Sequence, residues 1–319
     1  MIPEHTHATH DDGLVLSLDI GGTKIAAGLV TAAGSVVARA ETATPAREGG
    51  ERILATAAAL GTEVLGSLGS ARLVAVSVGS AGVIEADTGR VLAATGHLSD
   101  WKGTEICRGL AASFTVPILA CNDVHAHAVG ETFVGAGRGH GTVLVGAVGT
   151  GIGGAVVIDG VPQFGTHGVA GHLGHVPVHE AEGVLCPCGR YGHVEAISSG
   201  TALHALYLRN GGDPAARDTR DVVSRAAHDT VAFDTVVTSA GAFGRALAGV
   251  INMIDPGIVV LAGGMINAGA LWWDSMLAGA REGTMPILSD VPIVRAQLGN
   301  DAALIGAAKR AFDAQGDHA

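Results

Sequence analysis

Three apolar segments of this sequence run into glycine turns, and these turns are the first places where chemistry is expected. They are Asp19-Ile-Gly21-Gly22-Thr23-Lys24, Gly149-Thr150-Gly151-Ile-Gly153-Gly154 and Gly263-Gly264. Glycine permits positive φ and lets backbone N–H groups approach an anion with no Cβ in the way. Thr23 and Thr150 add hydroxyl donors, and Asp19 could hold magnesium through water. Two facing hairpins of this kind would clamp a triphosphate from both sides. One glycine turn alone reads as an ordinary tight turn; three at strand ends, two of them alike, read as a phosphate site. The second turn formally fits G-x-G-x-x-G, but that dinucleotide fingerprint needs a helix next. Residues 155–158 are apolar and β-branched and read as a strand, so the fingerprint fails on context. Nor do Gly21–Lys24 complete a Walker A motif, because the glycine ahead of the four-residue spacer is missing.

Asn122-Asp123 stands where an apolar segment at 117–120 ends and a helical pattern begins. An aspartate there is either a helix N-cap, worth about 1 kcal/mol, or a general base for an attacking hydroxyl. Position alone does not separate the two. Farther on, His172, His175, Cys186, Cys188 and His193 lie close together in sequence. Cys186-Pro-Cys188-Gly189 followed by Gly192-His193 has the short spacing of a structural zinc knuckle. Thiolate and imidazole are zinc ligands, and four of them close a tetrahedral site. The alternative is two free buried thiols among scattered surface histidines.

The elements that must position these groups follow an α/β pattern. Segments 14–19, 25–30 and 36–40 read as an antiparallel meander. A helix over about 51–68, a buried strand at 73–78, a helix near 104–113 and a strand at 117–120 complete a first domain. From Asp123 a helix runs to about 133, and then the opening pattern returns as strand 142–148, glycine turn 149–154 and strand 155–158. VLSLDIGGTKIAAGLV and VLVGAVGTGIGGAVVI are the same device, a weak internal duplication. Beyond Gly200 helices alternate with one clean buried strand, 258–261. A last helix at 302–312 is expected to pack back on the first domain. The expected division is thus a small domain 14–121 joined by the C-terminal helix of about 302–315, and a large domain 122–301 carrying the loop 172–193. Residues 1–13, with His5, His7 and His10, read as a disordered tail.

Composition bounds the function. With 319 residues, 48% hydrophobic and 15% charged, the chain is long and apolar enough for two globular domains. A net charge of −11 argues against a nucleic-acid surface, which needs clustered Lys and Arg. It leaves open a nucleotide held by backbone amides and magnesium. No apolar run reaches the roughly 18 residues of a membrane span, and no signal peptide is evident. Four cysteines in a chain of this size make a reducing cytoplasm the expected compartment.

Taken together, DIGGTK at 19–24, Asn122-Asp123, GTGIGG at 149–154, GVAGHLGHVPV at 168–178, CPCGRYGHVEAISSG at 186–200 and LAGG at 261–264 resemble the ROK family of repressors and sugar kinases. The resemblance spans residues 14 to about 310. It implies an actin-like α/β fold of two domains, of the hexokinase–Hsp70–actin type, with the active site in the interdomain cleft. It implies a sugar, ATP and Mg2+ as small-molecule partners, Asp123 as the base, and a homodimer by family habit. The sugar contacts it implies are Asn122, Asp123, His172, His175 and Glu195. The phosphate contacts are Asp19, Gly21, Gly22, Thr23, Lys24, Gly149, Thr150, Gly151, Gly153, Gly263 and Gly264. The Zn2+ ligands are His175, Cys186, Cys188 and His193.

The chain departs from the family pattern in three places. His193 replaces a third cysteine, the wall behind the base is Val124-His125-Ala126-His127, and the glutamate of E-x-G-H is His172. VAGHLGH with CPCGRYGHVEAISSG is most similar to bacterial N-acetylmannosamine kinases, so the expected reaction is phosphorylation of that sugar's 6-hydroxyl. A glucokinase or other hexose kinase is the alternative. Only 13 residues precede the apolar segment that leads into the glycine motif, where the family's repressors carry a DNA-binding domain, so a repressor is not expected. A non-catalytic sugar sensor would be expected to lose Asp123 or the glycines, and both are present.

Overall fold

Apolar runs punctuated by glycine become strands here, and the strands form two sheets built to one plan. The computed structural model describes residues 13–94 and 96–316. The expectations for His5, His7 and His10 fall outside the described residues. The chain divides into two compact units, one running to Gly130 and including residues from Asn300 onward, the other Glu131–Gly299.

The first unit contains β1 (Leu14–Ile20), β2 (Lys24–Val30), β3 (Val36–Ala43), α1 (Gly50–Leu65), β4 (Leu73–Ser80), the short hairpin β5 (Val83–Ile84) and β6 (Val91–Ala93), α2 (Ile106–Leu110) and β7 (Ile118–Asn122). α3 (Asp123–Val134) begins in this unit. The sheet order is β3-β2-β1-β4-β7, antiparallel through β3, β2 and β1 and parallel from β1 through β4 to β7. Side chains alternate between the faces of a strand. On one face Leu16 and Leu18 meet α1, where a Cβ on Gly61 would lie 3.0 Å from Leu16. That face and α1 enclose a core with the fully buried Trp101. The other face, marked by Gly28, receives the C-terminal helix Ala302–Gly316 through Leu304.

The second unit contains β8 (Thr142–Val148), β9 (Ile152–Ile158), β10 (Val161–Pro162), α4 (Glu195–Ser198), α5 (Gly200–Arg209), α6 (Thr219–Arg225), α7 (Thr230–Ile254), β11 (Ile258–Ala262), α8 (Ala270–Gly283) and β12 (Ile293–Arg295). Its sheet order, β10-β9-β8-β11-β12, repeats the first sheet strand for strand and direction for direction. The repeat seen between the two glycine hairpins therefore extends to whole sheets. The core lies between this sheet and α7, with Phe243 of α7 stacked on Trp272 of α8 at 6.1 Å between ring centroids. By length and composition α7 could cross a membrane. Its apolar residues are instead spent on this core, and Ser239, Thr235 and Arg245 interrupt any continuous apolar run.

Two boundaries differ from the sequence reading. β9 starts at Ile152, not 155, because Val148 pairs with Ile152 and Gly146 with Gly154, leaving a turn of only 149–151. Gly154 reads as turn by propensity, but packing decides the matter: a Cβ there would lie 2.3 Å from the carbonyl oxygen of Gly171. The units divide after Gly130 rather than at 121, and Glu131 supplies the reason. Its fully buried carboxylate accepts N–H bonds from Ala136, Gln297 and Leu298 at 2.8–3.2 Å, all within the second unit.

Candidate functional site

In the first unit the parallel register places Asp19 beside Gly79, Gly79 beside Cys121, and Ser80 beside Asn122, all at the carboxyl ends of their strands. Gly79 has no side chain to separate its neighbours. A Cβ there would lie 3.8 Å from Asp19 Oδ1 and 3.6 Å from Asp123 Cα. Two half-buried carboxylates therefore share one strand end. Burial, and next the charge of Asp123, push the Asp19 carboxyl up to about 7 against the opposing pull of Lys24 and Arg39. Burial also raises the Asp123 carboxyl, opposed by N–H bonds from Val124 and from the Asn122 amide.

The N-cap of α3 is Asn122 rather than Asp123. Asn122 Oδ1 accepts the N–H groups of Val124 and His125 at 2.9 and 3.2 Å. Its Nδ2 donates to Gly82 O at 2.9 Å and to Asp123 Oδ1 at 2.8 Å. Asp123 Oδ1 also accepts from Val124 N at 2.9 Å, so both bonds fall on one oxygen and leave Oδ2 clear of them. A carboxylate held on one side and unengaged on the other is placed to accept a proton.

The first glycine turn closes with Gly21 N–H donating to Lys24 O at 3.0 Å. Thr44 grips it from behind, its N–H on Thr23 O at 3.1 Å and its hydroxyl on Gly21 O at 2.8 Å. Lys24 points toward Glu41, 3.5 Å away, and is partly exposed. In the second turn Gly149 N–H donates to Gly151 O at 2.9 Å. Gly200 N–H donates to Gly149 O at 2.7 Å, Thr201 Oγ1 to Thr150 O at 2.9 Å, and Ile152 N–H to Glu195 Oε2 at 2.7 Å. None of Gly21, Gly22, Gly149 and Gly151 is left-handed; among the turn glycines named from sequence only Gly263 is, at φ 90°. Room is the requirement at only some of them: a Cβ on Gly151 would lie 2.9 Å from Glu195 Oε2 and one on Gly263 2.4 Å from Val148 O, whereas Gly149 and Gly264 face open space. Gly153 lies inside β9, paired with Ala147, and is not part of the turn.

His175, Cys186, Cys188 and His193 converge, with one ligand atom from each within 4.8 Å of all the others. Cys188 Sγ lies 3.2 Å from His193 Nδ1, and Cys186 Sγ 3.8 Å from His175 Nδ1. Short bridges between Pro177 and His193 and between Leu185 and Tyr191 hold the loop in shape. Tetrahedral zinc would place such donors about 3.3–3.8 Å apart, so the soft S/N set fits the ion with modest contraction. Burial pushes the Cys186 thiol up to about 11, a state that a bound cation would reverse. His172 is outside this quartet and stacks on His175 at 5.9 Å. Its Nδ1 is buried without a hydrogen-bond partner, and burial, then the neighbouring His175, lower its pKa, so the ring is neutral at pH 7. Glu195 joins this cluster to the glycine turn, with Oε1 3.9 Å from Cys186 Sγ and Oε2 on Ile152 N–H. Thr44 and Thr201 escaped the sequence reading, since a lone threonine outside a repeat gives no signal; Gly200 entered it only as the last residue of the motif at 186–200.

Two units with the same five-stranded mixed sheet, each opening on a glycine-turn hairpin, define the actin-like class of α/β proteins. Within that class the chain belongs to the ROK family, which it matches over residues 15–313. It is 32% identical over 300 residues to an N-acetylmannosamine kinase of Yersinia pseudotuberculosis, covering 93% of this chain and 97% of that protein. A ROK hexokinase from Thermus thermophilus superposes with a TM-score of 0.83 at 32% identity, over 95% of this chain and 99% of that one. A ROK family glucokinase from Streptomyces griseus, solved with glucose and AMPPNP, gives 0.79 at 29% identity, over 94% of this chain and 100% of that one.

The carboxylate pair has a consequence for stability. Asp19 titrates near 7 when folded and at 3.8 when exposed, so the folded state retains a proton that the unfolded state loses. Its contribution to stability therefore falls as pH rises from about 4 to 7. Asp19→Asn is expected to be more stable than wild type at pH 8 by roughly 2–4 kcal/mol. The advantage should shrink toward zero near pH 4. Urea unfolding across that range measures it; an advantage independent of pH would contradict the assignment.

Proposed function

We propose that the chain is an ATP-dependent sugar kinase that phosphorylates the 6-hydroxyl of N-acetylmannosamine. The observation that carries the reading is Asp123, a half-buried carboxyl with Oδ1 fixed by Asn122 and Val124 and Oδ2 left for substrate. In this reading Asp123 Oδ2 takes the proton of the attacking hydroxyl as the hydroxyl oxygen bonds to the γ-phosphorus, and the bond from that phosphorus to the β–γ bridging oxygen breaks, releasing ADP. Raised basicity suits that task. Asn122, His172, His175 and Glu195 hold the sugar, and Gly21, Gly22, Thr23, Lys24, Gly149, Thr150, Gly151, Gly263 and Gly264 hold the phosphates. Gly153, being in β9, supports the turn instead. Asp19 would hold the Mg2+ that accompanies ATP, whose charge offsets that of the phosphates. His175, Cys186, Cys188 and His193 would hold a structural Zn2+ that fixes the loop around His172. The protein acts in the cytoplasm, as a dimer.

The choice of sugar rests on His172. The glutamate at this place in similar glucokinases suits sugar hydroxyls, whereas an N-acyl sugar presents an amide at C2. A neutral imidazole with a buried, unpartnered Nδ1 has a donor or an acceptor, set by its tautomer, to offer that amide. Glucose is the second reading, favoured by the likeness to the Streptomyces griseus glucokinase.

A coupled ADP-release assay over N-acetylmannosamine, N-acetylglucosamine, glucose and mannose tests the proposal directly. Activity is expected with ATP, and Asp123→Asn should lower kcat by roughly 10²–10⁴ with both substrates still bound. Near-normal turnover in that variant would remove Asp123 as the base. His172→Glu is expected to move kcat/KM from the N-acyl sugar toward glucose by about one to two decades. A wild type that prefers glucose refutes the substrate, and an unchanged ratio refutes the role of His172. Protein lacking residues 1–12, and hence the tail histidines, is expected to contain about one zinc per chain. Active enzyme free of zinc would exclude the metal.

A further inference from the structure

The phosphate turns are gripped from behind by hydroxyls that neither the motifs nor the resemblance assign. Thr44, just past the end of β3, donates its hydroxyl to Gly21 O at 2.8 Å. Thr201, in the first turn of α5, donates its hydroxyl to Thr150 O at 2.9 Å. The two residues come from unrelated stretches of sequence and sit in different units, yet each binds a carbonyl of its own unit's glycine turn.

A trans peptide is planar, and its C=O and N–H point in opposite directions. Holding the Gly21 carbonyl therefore aims the N–H of Gly22 the other way, and holding the Thr150 carbonyl does the same for Gly151. The Gly200 N–H, one of the unpaired donors at the start of α5, holds the Gly149 carbonyl and so aims the N–H of Thr150. Among the described residues the N–H groups of Gly22, Thr150 and Gly151 have no protein acceptor. Each is therefore available to an anion. A peptide flanked by glycine flips readily because no Cβ opposes the rotation, and a flip would put a carbonyl where the N–H should be. The turns have the freedom that makes a lock necessary.

We infer that Thr44 and Thr201 are positioning residues that lock the peptide planes of the two phosphate turns, holding Gly22 and Gly151 N–H in the anion-binding orientation. The inference rests on the nucleotide reading above and adds the means by which the turns are kept ready. Its specific requirement is a hydroxyl, not a shape. Valine matches threonine in shape without the donor, and serine keeps the donor without the methyl group.

The test measures binding of AMPPNP to the full chain by calorimetry, and kcat and KM for ATP and for sugar, in Thr201→Val, Thr201→Ser, Thr44→Val and Thr44→Ser. Losing one aimed donor to a phosphoryl group costs up to about 10²–10³ in rate. Each valine variant should accordingly bind AMPPNP about 10-fold or more weakly and lose a similar factor in kcat/KM for ATP. The KM for sugar should stay within about 2-fold of wild type, and each serine variant should recover most of the loss. A purely structural role would lower the melting temperature and move both KM values together. AMPPNP affinity unchanged in the valine variants, or serine variants as weak as the valine ones, overturns the lock while leaving the kinase reading intact. Wild type that binds no AMPPNP overturns both.

Discussion

Two carboxylates held at one strand end, with only Gly79 between them, constrain most of the first unit. The arrangement requires β1, β4 and β7 to run parallel in one register, since a shift of one residue would send Asp19 to the opposite face. It also requires the central strand to contribute no side chain there. Burial then works against both charges, and the structure answers with fixed dipoles. The Asn122 amide and the first N–H groups of α3 surround Asp123, and the cations Lys24 and Arg39 act on Asp19 from farther away. A protein selected for stability alone would not keep this pair; sites that need raised carboxyls commonly cost stability.

The second unit repeats the sheet but fills it differently. Where β1 carries Asp19, β8 carries Ala147 ahead of its turn, and the polar burden moves to residues 168–201. Glu195 is the joint of that arrangement. One oxygen closes the glycine turn through Ile152 N–H, and the other faces Cys186 of the His/Cys cluster. The segment carrying His172 lies directly on β9, close enough that a Cβ on Gly174 would meet Ile152 O at 2.2 Å. The loop, the glutamate and the turn therefore form one packed body, and a displacement at any of them is felt by the others.

Much of this was legible in the sequence because it follows patterns that repeat. Apolar strands ending in glycine, the duplicated hairpin and the short C-x-C spacing have periods or punctuation that survive without coordinates. The His/Cys quartet assembles as the spacing and the resemblance together implied. What escaped the reading depends on single polar residues meeting distant backbone. The capping role of Asn122 was invisible because aspartate beside it is an equally good cap by type. Gly154 looked like turn, and only the backbone of Gly171 makes it strand. The role of Glu131 has no signature in the sequence: its carboxylate accepts N–H groups more than 160 positions away and helps fix where the second unit begins. Among the turn glycines, Gly151 is required for space and Gly263 for both space and positive φ, while a Cβ on Gly149 would meet nothing.

The charge of the chain explains why backbone geometry has to carry so much. At −11 the molecule repels anions at long range, although salt screens that field beyond about 8 Å. Within that distance the charge of Lys24 is partly answered by Glu41, 3.5 Å away. In the proposed site much of the attraction would come from peptide dipoles, which fall off quickly with distance and change sign when a peptide flips. A lysine can follow its anion by rotating a flexible stem; an N–H group cannot. A phosphate site built on backbone, as proposed here, would therefore depend on whatever fixes those peptides, and the Thr44 and Thr201 hydroxyls would matter as much as the glycines.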